Sequence, residues 1–197
     1  MTKSTFFVEE DKILTTLFDE GMDNLHLFKP GSTPLYAERL LSLIPEDYYR
    51  KITVHDHFYL KNEYDLAGIH LDSAETEIPN NYKGKIGRTC TDIQMLKEMK
   101  KKSSCVFLKN IFDCIEFSEE KKTFTQQQLE DAADKGLIDR HVYALGGMSL
   151  DNIRMAKTLG FGGVVICGDL WSRFDIHNQT DFKELIAHFE KLRNAVR

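Results

Sequence analysis

The 197-residue sequence is short of proline, with four, of tryptophan, with one, and of cysteine, with four. No Pro-rich linker, internal repeat or low-complexity tract divides it. The four thiols, Cys90, Cys105, Cys114 and Cys167, lack CxxC spacing, and three lie in or beside apolar runs. That excludes a disulfide framework or a cysteine zinc module and leads us to expect reduced thiols in a cytoplasmic protein. No run approaches the roughly 20 apolar residues of a membrane span, and the opening Met1-Thr-Lys-Ser-Thr-Phe-Phe-Val8 has no signal-peptide core. Positive charge is also scarce: 26 Lys and Arg against 31 Asp and Glu leave a formal net charge of −5. A nucleic-acid partner would call for a basic face, so neither nucleic acid nor membrane is expected.

What is present is ordinary globular composition, 42% apolar and 29% charged, enough for one domain over 1–197 with a sizeable core. Short apolar runs alternate with amphipathic stretches. Strands are expected over Asn24 to Phe28, Lys51 to Asp56, Gly68 to Leu71, Lys85 to Thr89, Cys105 to Leu108, His141 to Leu145 and Val164 to Cys167. Helices are expected over Asp11 to Glu20, Pro34 to Leu43, Asp92 to Lys102, Thr125 to Lys135, Ser149 to Leu159 and Asp181 to Ala195, with Asp11 and Ser149 as N-caps and Gly21 as a stop. Strands of the Val142-Tyr-Ala-Leu type suit a parallel sheet covered by helices. An eighth strand would have to come from Ser4 to Val8, the weakest part of an (β/α)8 barrel assignment.

Two strands run into glycine about one βα unit apart, at Gly146-Gly147-Met148 and at Cys167-Gly168. Glycine lets backbone N–H groups approach an anion, and after the last two strands of an α/β barrel such turns recur as phosphate sites.

The order of Leu25-His-Leu-Phe-Lys-Pro30, Val54-His-Asp-His57, Gly68-Ile-His-Leu71, Gly87-Arg-Thr-Cys90, Phe107-Leu-Lys-Asn-Ile-Phe-Asp113, Ala144-Leu-Gly-Gly-Met148 and Gly160-Phe-Gly-Gly163 resembles the thiamine phosphate synthases and their thiazole tautomerase relatives. The resemblance spans nearly the whole chain. It implies an eight-stranded α/β barrel, Mg²⁺, small phosphorylated pyrimidine and thiazole substrates, and release of pyrophosphate. Carried over by position, it implies Asp56 as Mg²⁺ ligand and Glu75, or Asp72, as the second acid. Thr89 becomes the hydroxyl touching diphosphate. Gly146, Gly147 and Met148 hold the thiazole phosphate, with Cys167 and Gly168 offering backbone N–H. His55 replaces an asparagine. His26, Phe28 and Pro30 stand where the family has glutamine, arginine and lysine, leaving Lys29 the only nearby cation. Cys114, Glu116 and Phe117 stand where it has two hydroxyls and a lysine. Each lost charge-assisted contact is worth about 1.5–3 kcal/mol. The resemblance therefore implies either a synthase or an impaired, tautomerase-like or regulatory binder of thiazole phosphate or thiamine phosphate.

A second candidate set needs no resemblance. His55 and His57 alternate along one strand and His70 ends the next; with Asp56 they form a Zn²⁺ or Fe²⁺ set of hydrolase type. A weak first strand would leave a gap that a second copy of the chain could cover.

Overall fold

The computed structural model describes residues 1–175, 177 and 181–196. Among them, seven strands form one all-parallel sheet in sequential order: β1 (Leu25–Leu27), β2 (Ile52–Val54), β3 (Gly68–Leu71), β4 (Lys85–Cys90), β5 (Cys105–Leu108), β6 (Val142–Ala144) and β7 (Gly163–Val164). The helices are α1 (Glu10–Asp19), α2 (Pro34–Leu43), α3 (Leu60–Glu63), α4 (Leu96–Lys101), α5 (Gln126–Asp134), α6 (Ile153–Thr158), α7 (Gly168–Trp171) and α8 (Lys183–Val196).

Local chemistry sets the helix ends. Pro34 opens α2, where its missing N–H costs nothing. Thr125 and Gln128 cap α5 reciprocally, side chain to backbone in both directions. Two expected caps lie elsewhere. Helix α1 begins after Glu9, so Asp11 falls in its first turn, where a negative charge favours the helix dipole. At α6 the Asn152 side chain accepts from the Ser149 N–H at 2.9 Å and donates to the Gly147 carbonyl at 2.9 Å. These bonds hold Ser149 to Asn152 as a turn, and the helix begins only at Ile153.

Side chains alternate across the strands with period two. Leu25, Leu27, Ile52, Val54, Ile69 and Leu71 pack with α1, α2 and α8 residues in one core, and Val106, Leu108, Val142 and Ala144 pack with α4, α5 and α6 residues in a second. The opposite face carries His26, Thr53, Gly68, His70, Gly87, Thr89, Phe107 and Tyr143, and is far less apolar than the strand sequences suggest.

Ser4 to Val8 contains no strand, contrary to expectation. The edge strands are bridged by Met1 and Thr2 instead. The Met1 nitrogen donates to the Ile166 carbonyl just past β7 at 2.8 Å, and the Thr2 N–H donates to the His26 carbonyl of β1 at 2.9 Å. Thr2 Oγ1 donates to the Phe28 carbonyl and accepts from the Phe28 N–H, and Trp171 Nε1 donates to the Met1 carbonyl. The sheet therefore curls until both its edges meet the same two residues.

Past β1, Lys29 and Glu10 form an ion pair at 2.5 Å, 2% and 1% exposed. The ammonium also donates to the Thr5 carbonyl and lies 4.5 Å from the Phe6 ring centroid. This pair ties the N-terminal segment to the sheet. Burial pushes the Glu10 carboxyl up to about 7, against the pull of Lys29.

Removing one partner of such a buried pair strands the other charge. Lys29→Met should lower stability by about 3–5 kcal/mol in urea unfolding, and Lys29→Met with Glu10→Leu should recover most of it. A single variant as stable as the parent would contradict the pairing. The pH sign also follows. The unfolded chain releases the Glu10 proton near the ordinary glutamate value of 4.5 and the folded chain near 7, so this group's contribution is complete below the lower value and is lost as pH rises through the upper one. The stability difference between the parent and Glu10→Gln should shift against the parent over that window.

Candidate active site

At the carboxyl ends of the strands lies a cavity of about 140 Å³, lined by residues including Asp72, Thr89, Lys109, Glu116, Gly146, Gly147, Met148, Cys167 and Gly168. Both glycine turns open onto this one space. A loop covers them: a Cβ on Gly147, whose φ is +60°, would collide with the Asp113 carbonyl oxygen, and Ile115 lies against Gly168. The Glu116 carboxylate accepts from Ser4 Oγ at 2.8 Å and from the Cys167 thiol at 3.1 Å. Burial, opposed by the Met1 ammonium and reinforced by Glu116, pushes that thiol up to about 12, so it remains protonated. Lys109, just past β5, pairs with Glu120 at 2.6 Å.

Beneath this cavity the strand register assembles three histidines. His26 of β1 pairs with Thr53, and His70 of β3 lies opposite Gly87. His55 continues the β2 ladder, its N–H donating to the Leu27 carbonyl. The Asp72 carboxylate organises them, accepting from His55 Nδ1 at 2.8 Å and from Thr89 Oγ1 at 3.2 Å. Thr89 Oγ1 in turn accepts from His70 Nε2 at 2.9 Å. With its proton on Nδ1, His55 leaves Nε2 to accept from His26 Nδ1 at 2.9 Å. The hydrogen-bond network thus assigns every tautomer. Burial, with the charges of neighbouring histidines, lowers His26 well below the usual histidine range and His70 to about 3. At Asp72, burial works to raise the carboxyl, but the His55 hydrogen bond and the nearby imidazoles prevail and hold it low.

The expected residues divide. Asp72, Thr89, Gly146, Gly147, Met148, Cys167 and Gly168 share the cavity. His55 and His26 lie in the histidine cluster below it. Asp56 is half-buried beside them, with Oδ2 buried and unpartnered; burial raises its carboxyl, and the Asp72 charge adds to that. Glu75 stands on an exposed loop, its carboxylate engaged with Ser73 and its own backbone. Lys29 is buried against Glu10 and does not face the cavity. The His55, His57, His70 and Asp56 set does not assemble as expected: His57 has a φ of 51°, which breaks the strand alternation, and its Nε2 donates to the Ser32 carbonyl. Lys109 and Glu116 also line the cavity, and the signal for Lys109 in the sequence is its place directly after an apolar strand.

This is an all-parallel α/β protein with a cavity at the carboxyl ends of its strands. No protein-family model matches the chain, and no curated protein sequence does. Solved structures do. The chain is 44% identical to thiamine phosphate pyrophosphorylase from Bacteroides thetaiotaomicron, over 98% of this chain and 94% of that one, with a TM-score of 0.90. Thiamine phosphate pyrophosphorylase from Pyrococcus furiosus shares the fold at 17% identity, over 95% and 89% of the two chains, with a TM-score of 0.69. A 3-hexulose-6-phosphate synthase does so at 14% identity, over 100% and 98%, with a TM-score of 0.63. The chain belongs to the thiamine phosphate pyrophosphorylase family, whose members are also called thiamine phosphate synthases.

The covering loop makes Gly147 intolerant of a side chain. Gly147→Ala should cost about 1–3 kcal/mol in urea unfolding through its left-handed φ alone, with the Asp113 collision adding to that. An unchanged midpoint would contradict the described loop position.

Proposed function

We propose that the protein joins an aminopyrimidine methyl diphosphate to a thiazole phosphate and releases pyrophosphate, as a step of thiamine biosynthesis. The observation that carries this reading is the convergence of the Gly146-Gly147 and Gly168 turns on one cavity with Lys109, Thr89 and Asp72, in a chain 44% identical to a thiamine phosphate pyrophosphorylase. In the reaction the methylene C–O bond breaks, its electron pair leaving with pyrophosphate. The thiazole nitrogen lone pair then forms the new C–N bond, so no oxidant or reductant is needed. Lys109 is the cation of the cavity and would exchange Glu120 for diphosphate oxygens. The backbone amides of the glycine turns would take the thiazole phosphate. For either anion to enter, Glu116 must swing out with its loop.

Mg²⁺ suits the donors present. Asp56 has a buried, unpartnered carboxylate oxygen, and the Asp72 carboxylate retains free lone pairs beyond its two hydrogen bonds. These two acids, rather than Glu75, would hold the ion, which when bound supplies charge neutralisation for the departing diphosphate. We also read Met1 and Thr2 as the eighth stave of a closed barrel. We read the protein as cytoplasmic, with small-molecule partners and no nucleic acid or membrane partner. The four free thiols are in keeping with that compartment. No described helix is long and apolar enough to cross a membrane.

One observation favours a second reading. The Glu116 carboxylate lies where an anion would be received, and Lys29 is withdrawn, which suits an impaired, tautomerase-like or regulatory binder. A coupled assay for thiamine phosphate from both precursors with Mg²⁺ separates the two: turnover supports the synthase, and none at high enzyme concentration discards it. If Glu116 excludes anions by repulsion, Glu116→Ala should tighten pyrophosphate binding at least about tenfold in calorimetry, the equivalent of one charge-assisted contact. Weaker binding would show that Glu116 helps to hold the ligand.

A further inference from the structure

We propose that His26, His55 and His70 form a transition-metal site inside the sheet, of a kind that takes Zn²⁺, with ligands distinct from the Asp56 and Asp72 carboxylates read above as Mg²⁺ donors. One ring nitrogen from each histidine lies within 4.8 Å of the other two. His55 and His70 are 4% and 0% exposed. Three imidazoles with no first-sphere carboxylate are a donor set for a borderline metal and a poor one for Mg²⁺.

Three further observations point to a ligand. The first is the outer shell. Histidines that bind metal almost always give their other ring N–H to a carboxylate or a similar acceptor, which fixes the tautomer. His55 gives Nδ1–H to Asp72, and His70 gives Nε2–H to Thr89, which itself donates to Asp72. One carboxylate thus fixes two of the three rings and leaves His55 Nε2 and His70 Nδ1 as their unprotonated nitrogens. The second is an orphan. His70 Nδ1 is buried with no hydrogen-bond partner, and its space exists only because Gly87 opposite has no side chain; a Cβ there would collide with that nitrogen. A buried acceptor with room reserved for it and nothing to accept from calls for an explanation, and a metal supplies one. The third is access. A separate cavity of about 780 Å³, at the amino ends of the strands, reaches His26, Gly87 and Phe107. Of the three histidines it touches His26, so an ion approaching that ring does not pass the loop-covered cavity at the other end.

Tetrahedral Zn²⁺ with bonds of about 2.0–2.1 Å sets its nitrogens roughly 3.3 Å apart. Binding therefore spreads the 2.9 Å contact between His26 and His55, moves the His26 proton from Nδ1 to Nε2, and turns His70 out of its stack on His55. The site does not rest on the synthase reading, and either can fail without the other.

The test uses the full chain without a tag, stripped with a chelator and titrated with Zn²⁺ against a chromophoric competitor. One equivalent per chain is expected. His26→Phe and His70→Phe should each weaken binding by at least about 100-fold, and Asp72→Asn by about 10–100-fold, the effect of losing an outer-shell carboxylate. His57→Gln should leave binding unchanged. Each variant is checked for folding by circular dichroism. Should the histidine variants fail to fold, the parent protein decides: Co²⁺ should give the intense visible bands of a tetrahedral nitrogen site, and X-ray absorption of the zinc form a nitrogen and oxygen shell without sulfur. No stoichiometric binding, binding unchanged in His26→Phe and His70→Phe, or a shell containing sulfur from the cysteines would each overturn the proposal.

Discussion

The Asp72 carboxylate, one residue past β3, is the contact on which the interior of this protein turns. Three strands each bring one polar side chain to it directly or through a neighbour: His55 from β2, Thr89 from β4, and His70 through Thr89. Buried polar groups are tolerated only when partnered, and without this carboxylate the imidazoles would have no fixed tautomer and Thr89 no acceptor. Asp72 also belongs to the cavity above. The same group that makes a histidine-lined sheet affordable therefore presents charge to whatever binds at the strand ends.

The second constraint is closure. A seven-stranded parallel sheet leaves two edges with unpaired backbone groups, and such edges invite pairing with other chains. Thr2 pairs with His26 and Phe28 along the β1 edge, and Met1 reaches Ile166 just past β7, with its own carbonyl held by the Trp171 indole. The Lys29 and Glu10 pair then anchors the segment that follows. This arrangement explains a departure from the family pattern: the cation nearest to the expected diphosphate grip has been committed to holding the N-terminal segment down. The cationic side chain that lines the cavity is Lys109, paired with Glu120.

Much of the fold was legible in the sequence because burial writes it there. Strands β3 and β5 and helix α2 match the apolar runs to the residue, since each run is flanked by Gly, Pro or charge. Met1 and Thr2 were not legible, because two residues carry no periodicity. Both glycine turns line one cavity, as their spacing of one βα unit suggests. The loop over them is not legible in the sequence, since nothing local to Asp113 to Phe117 says which way its side chains point. The histidine cluster shows the limit most clearly. The i, i+2 spacing of His55 and His57 suggested a shared face, but β2 ends at Val54 and His57 adopts a positive φ. The partner that replaces it, His26, comes from 29 residues away through strand register, which no local pattern encodes. Lys29 failed for the same reason, its partner Glu10 lying 19 residues back.

The central claim is that Asp72 fixes where the ring protons lie. Nitrogen-15 correlation spectra of the histidine side chains in the metal-free protein test it most directly, with assignments from single His→Gln variants. The account predicts His55 protonated on Nδ1 and His70 as the neutral Nε2–H form, with both patterns lost in Asp72→Asn. A neutral His55 carrying its proton on Nε2, or a His70 carrying it on Nδ1, would contradict it.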